Sequence, residues 1–76
     1  MGAELDHLSA RSCRDARKLA KLSQEELAVA AGISVSTLRR FERGDDAIGD
    51  YPKQQLSRAL ANEGIMVLGT RVLQLL

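Results

Sequence analysis

The sequence predicts a mainly α domain of four short helices, at about 9–22, 24–31, 35–43 and 52–63, closed by a short apolar C-terminal strand or hairpin. Three observations lead to that fold class. Ser9, Ser23 and Ser34 each stand just before apolar residues at three- and four-residue spacing, where a hydroxyl side chain caps a helix. Gly32, Gly44 and Gly64 stand where the periodic segments stop. The tail IMVLGTRVLQLL then changes to an apolar run rich in β-branched residues. With 76 residues the chain forms one small domain. The expected division is a segment 1–8, a helical domain 9–64 and an apolar element 65–76.

Each element has its own signals. The first helix, capped by Ser9 and running to about Leu22, places Cys13, Ala16 and Ala20 on a narrow apolar face. The second, SQEELAVAAG, opens with a Ser23-x-x-Glu26 capping box and two acids in its first turn, and Gly32 supplies a left-handed stop. The third runs from its cap at Ser34 to its stop at Gly44. Residues 45–51 read as a loop. Pro52 disfavours helix at Tyr51 and suits the first turn of the fourth helix, whose spacing is given by Leu56, Ala59, Leu60 and Glu63 and which Gly64 ends. In the tail, Gly69-Thr70 suits the two-residue turn of a hairpin; the rival is a fifth helix broken near Gly69.

Composition narrows the function classes. One Phe, one Tyr and no Trp leave the core to Leu, Ile, Val and Ala. Cys13 is the single cysteine, so it has no internal disulfide partner, and a reduced cytosolic setting is expected. It reads as a small buried hydrophobe rather than a redox switch. The N-terminus lacks the features of a signal peptide, and no apolar stretch is long enough to span a bilayer. His7 stands alone and reads as a surface residue. Asp45 and Asp46 have no second acid-base group nearby and read as loop solvation or capping. No phosphate loop, zinc spacing or triad is visible, so no cofactor, no metal and no enzymatic activity are expected.

Net charge is only +1, but its distribution is uneven. Arg11, Arg14, Arg17, Lys18 and Lys21 crowd the first third, Arg39, Arg40 and Arg43 the middle, and Asp45, Asp46 and Asp50 follow directly. Two short helices joined by Gly32-Ile33-Ser34 cannot lie side by side; they cross steeply, as in a helix-turn-helix. Ala28 permits the close approach, Ile33 plugs the turn, and Leu38 and Phe41 lock the third helix onto the core. Val35, Ser36, Arg39, Arg40 and Arg43 then face outward. A helix about 10–12 Å across fits a B-DNA major groove about 12 Å wide.

The stretch SQEELAVAAGISVSTLRRFERG resembles the helix-turn-helix of the lambda-repressor and Cro type, the XRE family, with Gln24, Leu27, Ala28, Gly32, Ile33, Leu38, Phe41, Glu42 and Gly44 matching in type and spacing. The resemblance covers roughly residues 9–68. It implies a DNA-binding regulator whose base-reading positions are Val35, Ser36, Arg39 and Arg40. Gln24, Ser34, Thr37 and Arg43 would meet phosphates, and Arg17 and Glu42 would form an ion pair between the first and third helices. Double-stranded DNA is the implied partner, in a cytoplasmic protein of bacterial or phage origin. The chain departs from the family in its acidic loop at 45–50 and in Lys53, which stands where an apolar residue is usual.

Two functions follow: a sequence-specific regulator, most simply a repressor, or an antitoxin-like or adaptor protein whose main partner is another protein. The arginines favour the first; the acidic loop and apolar tail favour the second. Residues 65–76, apolar on both faces, also suggest a homodimer, which would give two reading helices for a two-fold DNA site.

Overall fold

The computed structural model describes residues 8–68 and 71–75. Four helices, α1 (Ala10–Leu19), α2 (Gln24–Ala31), α3 (Val35–Glu42) and α4 (Asp50–Asn62), are followed by the strands β1 (Ile65–Leu68) and β2 (Arg71–Gln74). The strands pair antiparallel, with Ile65 opposite Gln74, Met66 opposite Leu73, Val67 opposite Val72 and Leu68 opposite Arg71. The tail is therefore a hairpin and not a fifth helix. Its proposed turn, Gly69-Thr70, lies outside the described residues, as do His7 and Leu76.

Serine caps begin the first three helices. Ser9 and Ser12 cap one another reciprocally, and Ser23 and Glu26 do the same on α2. Ser34 Oγ accepts from the Thr37 backbone N–H at 3.1 Å. Each serine satisfies one of the N–H groups that a helix leaves unpaired at its start.

The same three helices also end alike. Leu22 N–H donates to Arg17 O (3.1 Å), Ile33 to Ala28 O (3.0 Å) and Asp45 to Arg40 O (3.0 Å). Each bond spans five residues and needs a left-handed residue in the turn. Gly32 (φ 71°) and Gly44 (φ 109°) supply it without steric cost. In α1 the left-handed residue is Lys21 (φ 61°). Helix α1 accordingly stops at Leu19, three residues short of the expected Leu22. No glycine marks that stop; instead Arg17 Nη1 donates to Leu22 O at 3.0 Å and holds the turn closed.

The fourth helix starts at Asp50, two residues before Pro52. Tyr51 is helical despite the proline that follows it. Proline falls in the first turn, where its missing N–H costs no intrahelical bond. The preceding loop contains a 3-10 turn at Asp46–Ile48, capped by Asp45.

One core joins the elements. Leu27, Ala28 and Ala31 of α2 pack with Leu38 and Phe41 of α3, Leu56, Ala59 and Leu60 of α4, and Cys13 and Ala16 of α1. Ile33, in the turn, packs against it. The core starts one residue before the expected domain boundary, because Leu8 is 1% exposed. It also extends into the hairpin. Ile65 and Val67 are buried and Val72 packs beside them, while Met66, Leu73 and Leu75 are exposed at 42%, 39% and 59%. With period-two alternation, the hairpin covers the helices with one face and presents an opposite face of Met66, Leu68, Leu73 and Leu75 beside Arg71.

A buried ion pair ties the helices together. Arg17 Nε and Nη2 donate to Glu42 Oε2 and Oε1, each at 2.9 Å. Gln24 Nε2 donates to Oε1 at 3.0 Å, and the Cys13 thiol to Oε2 at 3.5 Å. Arg14 Nη1 donates to the Glu42 carbonyl. Glu42 is 3% exposed, yet both carboxylate oxygens are fully used. Burial pushes its carboxyl up, but the bonds from Arg17 and Gln24 outweigh this and hold it below its ordinary value of 4.5. Burial, with Glu42 alongside, pushes the Cys13 thiol up, so it stays protonated and donates.

Glu42→Ala leaves the partly buried Arg17 guanidinium without its carboxylate, which should cost more than the ~0–1 kcal/mol of an exposed pair and less than the about 3–5 kcal/mol of a fully buried one. The expected outcome is a clear fall in melting temperature; an unchanged one contradicts it. Because the folded carboxyl titrates below its unfolded value, the stabilisation is complete above about pH 4.5 and is lost as pH falls through the folded pKa. Glu42→Gln, which lacks this titration, should lose less stability than the wild type on acidification, measured by denaturant midpoints at neutral and acid pH.

Candidate nucleic-acid interface

Helix α3 divides its residues by periodicity. Leu38, Phe41 and Glu42 are buried, and Ser36, Arg39, Arg40 and Arg43 are exposed on the other side. The buried stripe anchors the helix, and the arginine side is open along its length. Val35 is half-buried and packs against the core, so it offers only part of its side chain outward. Ser34 and Thr37 meet at the start of the helix, their hydroxyls 2.8 Å apart.

The outward arginines do not stand free of acids. Arg39 Nη2 donates to Glu25 Oε2 at 2.7 Å, and its Nε reaches Gln24 Oε1 at 3.4 Å. Arg40 donates to Asp45 Oδ2 through Nη2 (3.0 Å) and Nε (3.2 Å). Among the described residues Arg43 has no ion pair. Gln24 carries one hydrogen bond to Glu42, which leaves its second amide hydrogen uncommitted.

Two acids of the loop pair with cations of their own chain. Asp45 meets Arg40, and Asp46 Oδ1 meets Lys53 Nζ at 2.8 Å. Lys53 also lies 6.0 Å from the centre of the Phe41 ring. Lys53 thus stands beside Phe41 with its ammonium on Asp46, at a position where the family usually has an apolar residue.

Spacing on a single helix reveals none of these pairings. Glu25 and Asp45 lie outside α3, and only the crossing of α2 with α3 and the turn at Gly44 bring them to its arginines. The one available signal was Asp45 directly after a glycine stop. Among the described residues no cluster of His, Cys, Asp and Glu could hold a metal ion, and no helix is long and apolar enough to cross a membrane.

Comparison with known proteins agrees with this geometry. The family described as helix-turn-helix matches residues 14–61, more than half of the chain. No curated protein matches the chain. The matched segment contains the α2–α3 pair, the part of α1 that carries Arg17, and all but the last residue of α4. The chain belongs to the helix-turn-helix family of lambda-repressor and Cro type, the XRE family of DNA-binding transcription regulators.

Proposed function

We propose that the protein is a sequence-specific repressor that occupies its operator as a homodimer, with α3 of each copy in the major groove. The observation that carries this reading is the division of α3 into a buried apolar stripe and an exposed arginine face. Val35, Ser36, Arg39 and Arg40 meet base edges. Ser34, Thr37, Arg43 and the free amide hydrogen of Gln24 meet phosphates, helped by the backbone N–H groups at the start of α2. Arg17 and Glu42 hold α3 in place and touch no DNA.

The hairpin supports the dimer. Met66, Leu68, Leu73 and Leu75 share its outer face, three of them exposed and Leu68 half-buried. A second copy covers that face, and two reading helices about 34 Å apart then match half-sites one DNA turn apart. The same exposed face supports a second reading, an antitoxin-like or adaptor protein that covers it with a different partner. The acids on Arg39 and Arg40 lean the same way, because they weaken attraction to phosphate.

Selection of bound duplexes from a random DNA pool separates the two readings. The repressor reading expects a two-fold symmetric consensus, with affinity that falls steeply as salt rises; no enrichment overturns it. Arg40→Ala is expected to relax preference at one position per half-site, a loss of about 1–3 kcal/mol of discrimination. Equal weakening on all sequences makes Arg40 a phosphate contact instead. Met66→Glu with Leu73→Glu charges the outer face and leaves buried Ile65 and Val67 intact. This variant is expected to be monomeric at micromolar concentration and to lose affinity for the palindrome. A wild-type chain already monomeric under those conditions excludes the dimer.

A further inference from the structure

We propose that Asp45 is a specificity-determining positioning residue, which aims the guanidinium end of Arg40 at one base and restrains it from binding phosphates. The inference rests on the reading of Arg40 as a base contact.

The turn at the end of α3 builds this contact twice over. Asp45 N–H donates to Arg40 O at 3.0 Å, so Gly44 brings residue 45 back beside residue 40. The two Asp45 oxygens then have separate tasks. Oδ1 accepts from the Ala47 backbone N–H at 3.0 Å, which fixes the carboxylate to the 3-10 turn. Oδ2 accepts from both Nε and Nη2 of Arg40. The Ala47 N–H first, and Arg40 next, hold the Asp45 carboxyl below its ordinary range, so it stays charged.

What remains of Arg40 is informative. The Nε–Nη2 side of the guanidinium is occupied. Nη1 and the second Nη2 hydrogen form its end, and that end carries the two parallel donors that match O6 and N7 of guanine. An arginine braced on its side and open at its end has fewer orientations to lose when it meets a base. It is also partly neutralised towards phosphate, and Asp45 itself repels the backbone. Both effects lower binding to arbitrary DNA and raise the ratio of specific to non-specific affinity, which governs recognition among many competing sites.

The other two arginines provide the contrast. Arg39 has its Nη2 end engaged by Glu25, a residue more than half exposed. Arg43 has no acid beside it among the described residues and is suited to phosphate. Arg40 alone combines an anchored brace with an open end. The pair is half exposed, and such pairs contribute little to folding stability, so its effect belongs to recognition.

The test uses the full chain and the consensus duplex from the selection described above. Competition binding at one salt concentration compares the consensus, each single-base variant and a random-sequence duplex. Asp45→Asn keeps an oxygen for the Ala47 N–H, removes the charge and turns amide donors towards Arg40. Arg40→Ala is the reference. The expected result is that Asp45→Asn loses about tenfold preference at the base position that Arg40→Ala identifies, within the range of a single arginine–guanine contact. Affinity for the random duplex should rise by a few fold, with an unchanged melting temperature. Full preference retained at that position by Asp45→Asn overturns the role of Asp45 and leaves the base contact standing. Loss of preference at every position with a lowered melting temperature also overturns it, making Asp45 a turn-former only. If Arg40→Ala weakens all duplexes equally, the base contact fails and the role of Asp45 fails with it.

Discussion

The Glu42 carboxylate is the constraint on which the rest of the molecule depends. It receives Arg17 and Cys13 from α1 and Gln24 from α2, while its own helix is α3. Three helices thus meet at one buried charge. Burying that charge is expensive, and the attraction of Arg17 repays it only because the geometry is bidentate and every remaining acceptor site is filled. Apolar packing tolerates small slides between helices, whereas a fully satisfied carboxylate does not. The interaction therefore fixes the position of α3 more than it adds stability. Arg14 reinforces it by taking the Glu42 carbonyl at the C-terminal end of the same helix.

That rigidity matters because α3 is short. An eight-residue helix in isolation is not stable in water, so its shape comes from what surrounds it. Ser34 caps its start, the turn through Gly44 closes its end, and Leu38 and Phe41 anchor its middle. Three helices end in the same five-residue hydrogen bond, which gives sharp turns and lets a chain this short fold back on itself repeatedly. The Gln55 side chain adds a long-range link, donating through Nε2 to Ala31 O at 3.2 Å where α2 ends against α4.

Charge on the outer face is finely balanced. The net charge of +1 leaves no general attraction to a polyanion. Both arginines of α3 are countered by acids of the chain, and Lys53 is countered by Asp46. Recognition must then come from fitted contacts more than from bulk electrostatics. The hairpin shows a parallel economy. Its inner face completes the core, while Met66, Leu73 and Leu75 of its outer face stay exposed.

The sequence by itself determined the local structure. Capping serines, glycine stops and apolar spacing are signals carried by neighbouring residues, so the four helices, the helix-turn-helix and the buried stripe of α3 were legible from them. The hairpin was legible more weakly, from β-branched residues in a short run. Where a local signal was missing, the reading failed. Lys21 adopts a left-handed conformation in a turn that Arg17 closes, so α1 ends before the expected Leu22 with no glycine to mark the stop. Tyr51 is helical because Pro52 sits in the first turn, where no hydrogen bond is lost. Only the tertiary structure decided which charges meet. Glu25 lies fourteen residues before Arg39, and Cys13 twenty-nine before Glu42. Coulomb attraction and hydrogen bonding act over a few ångströms in space, and distance along the chain does not report that separation until the helices have crossed.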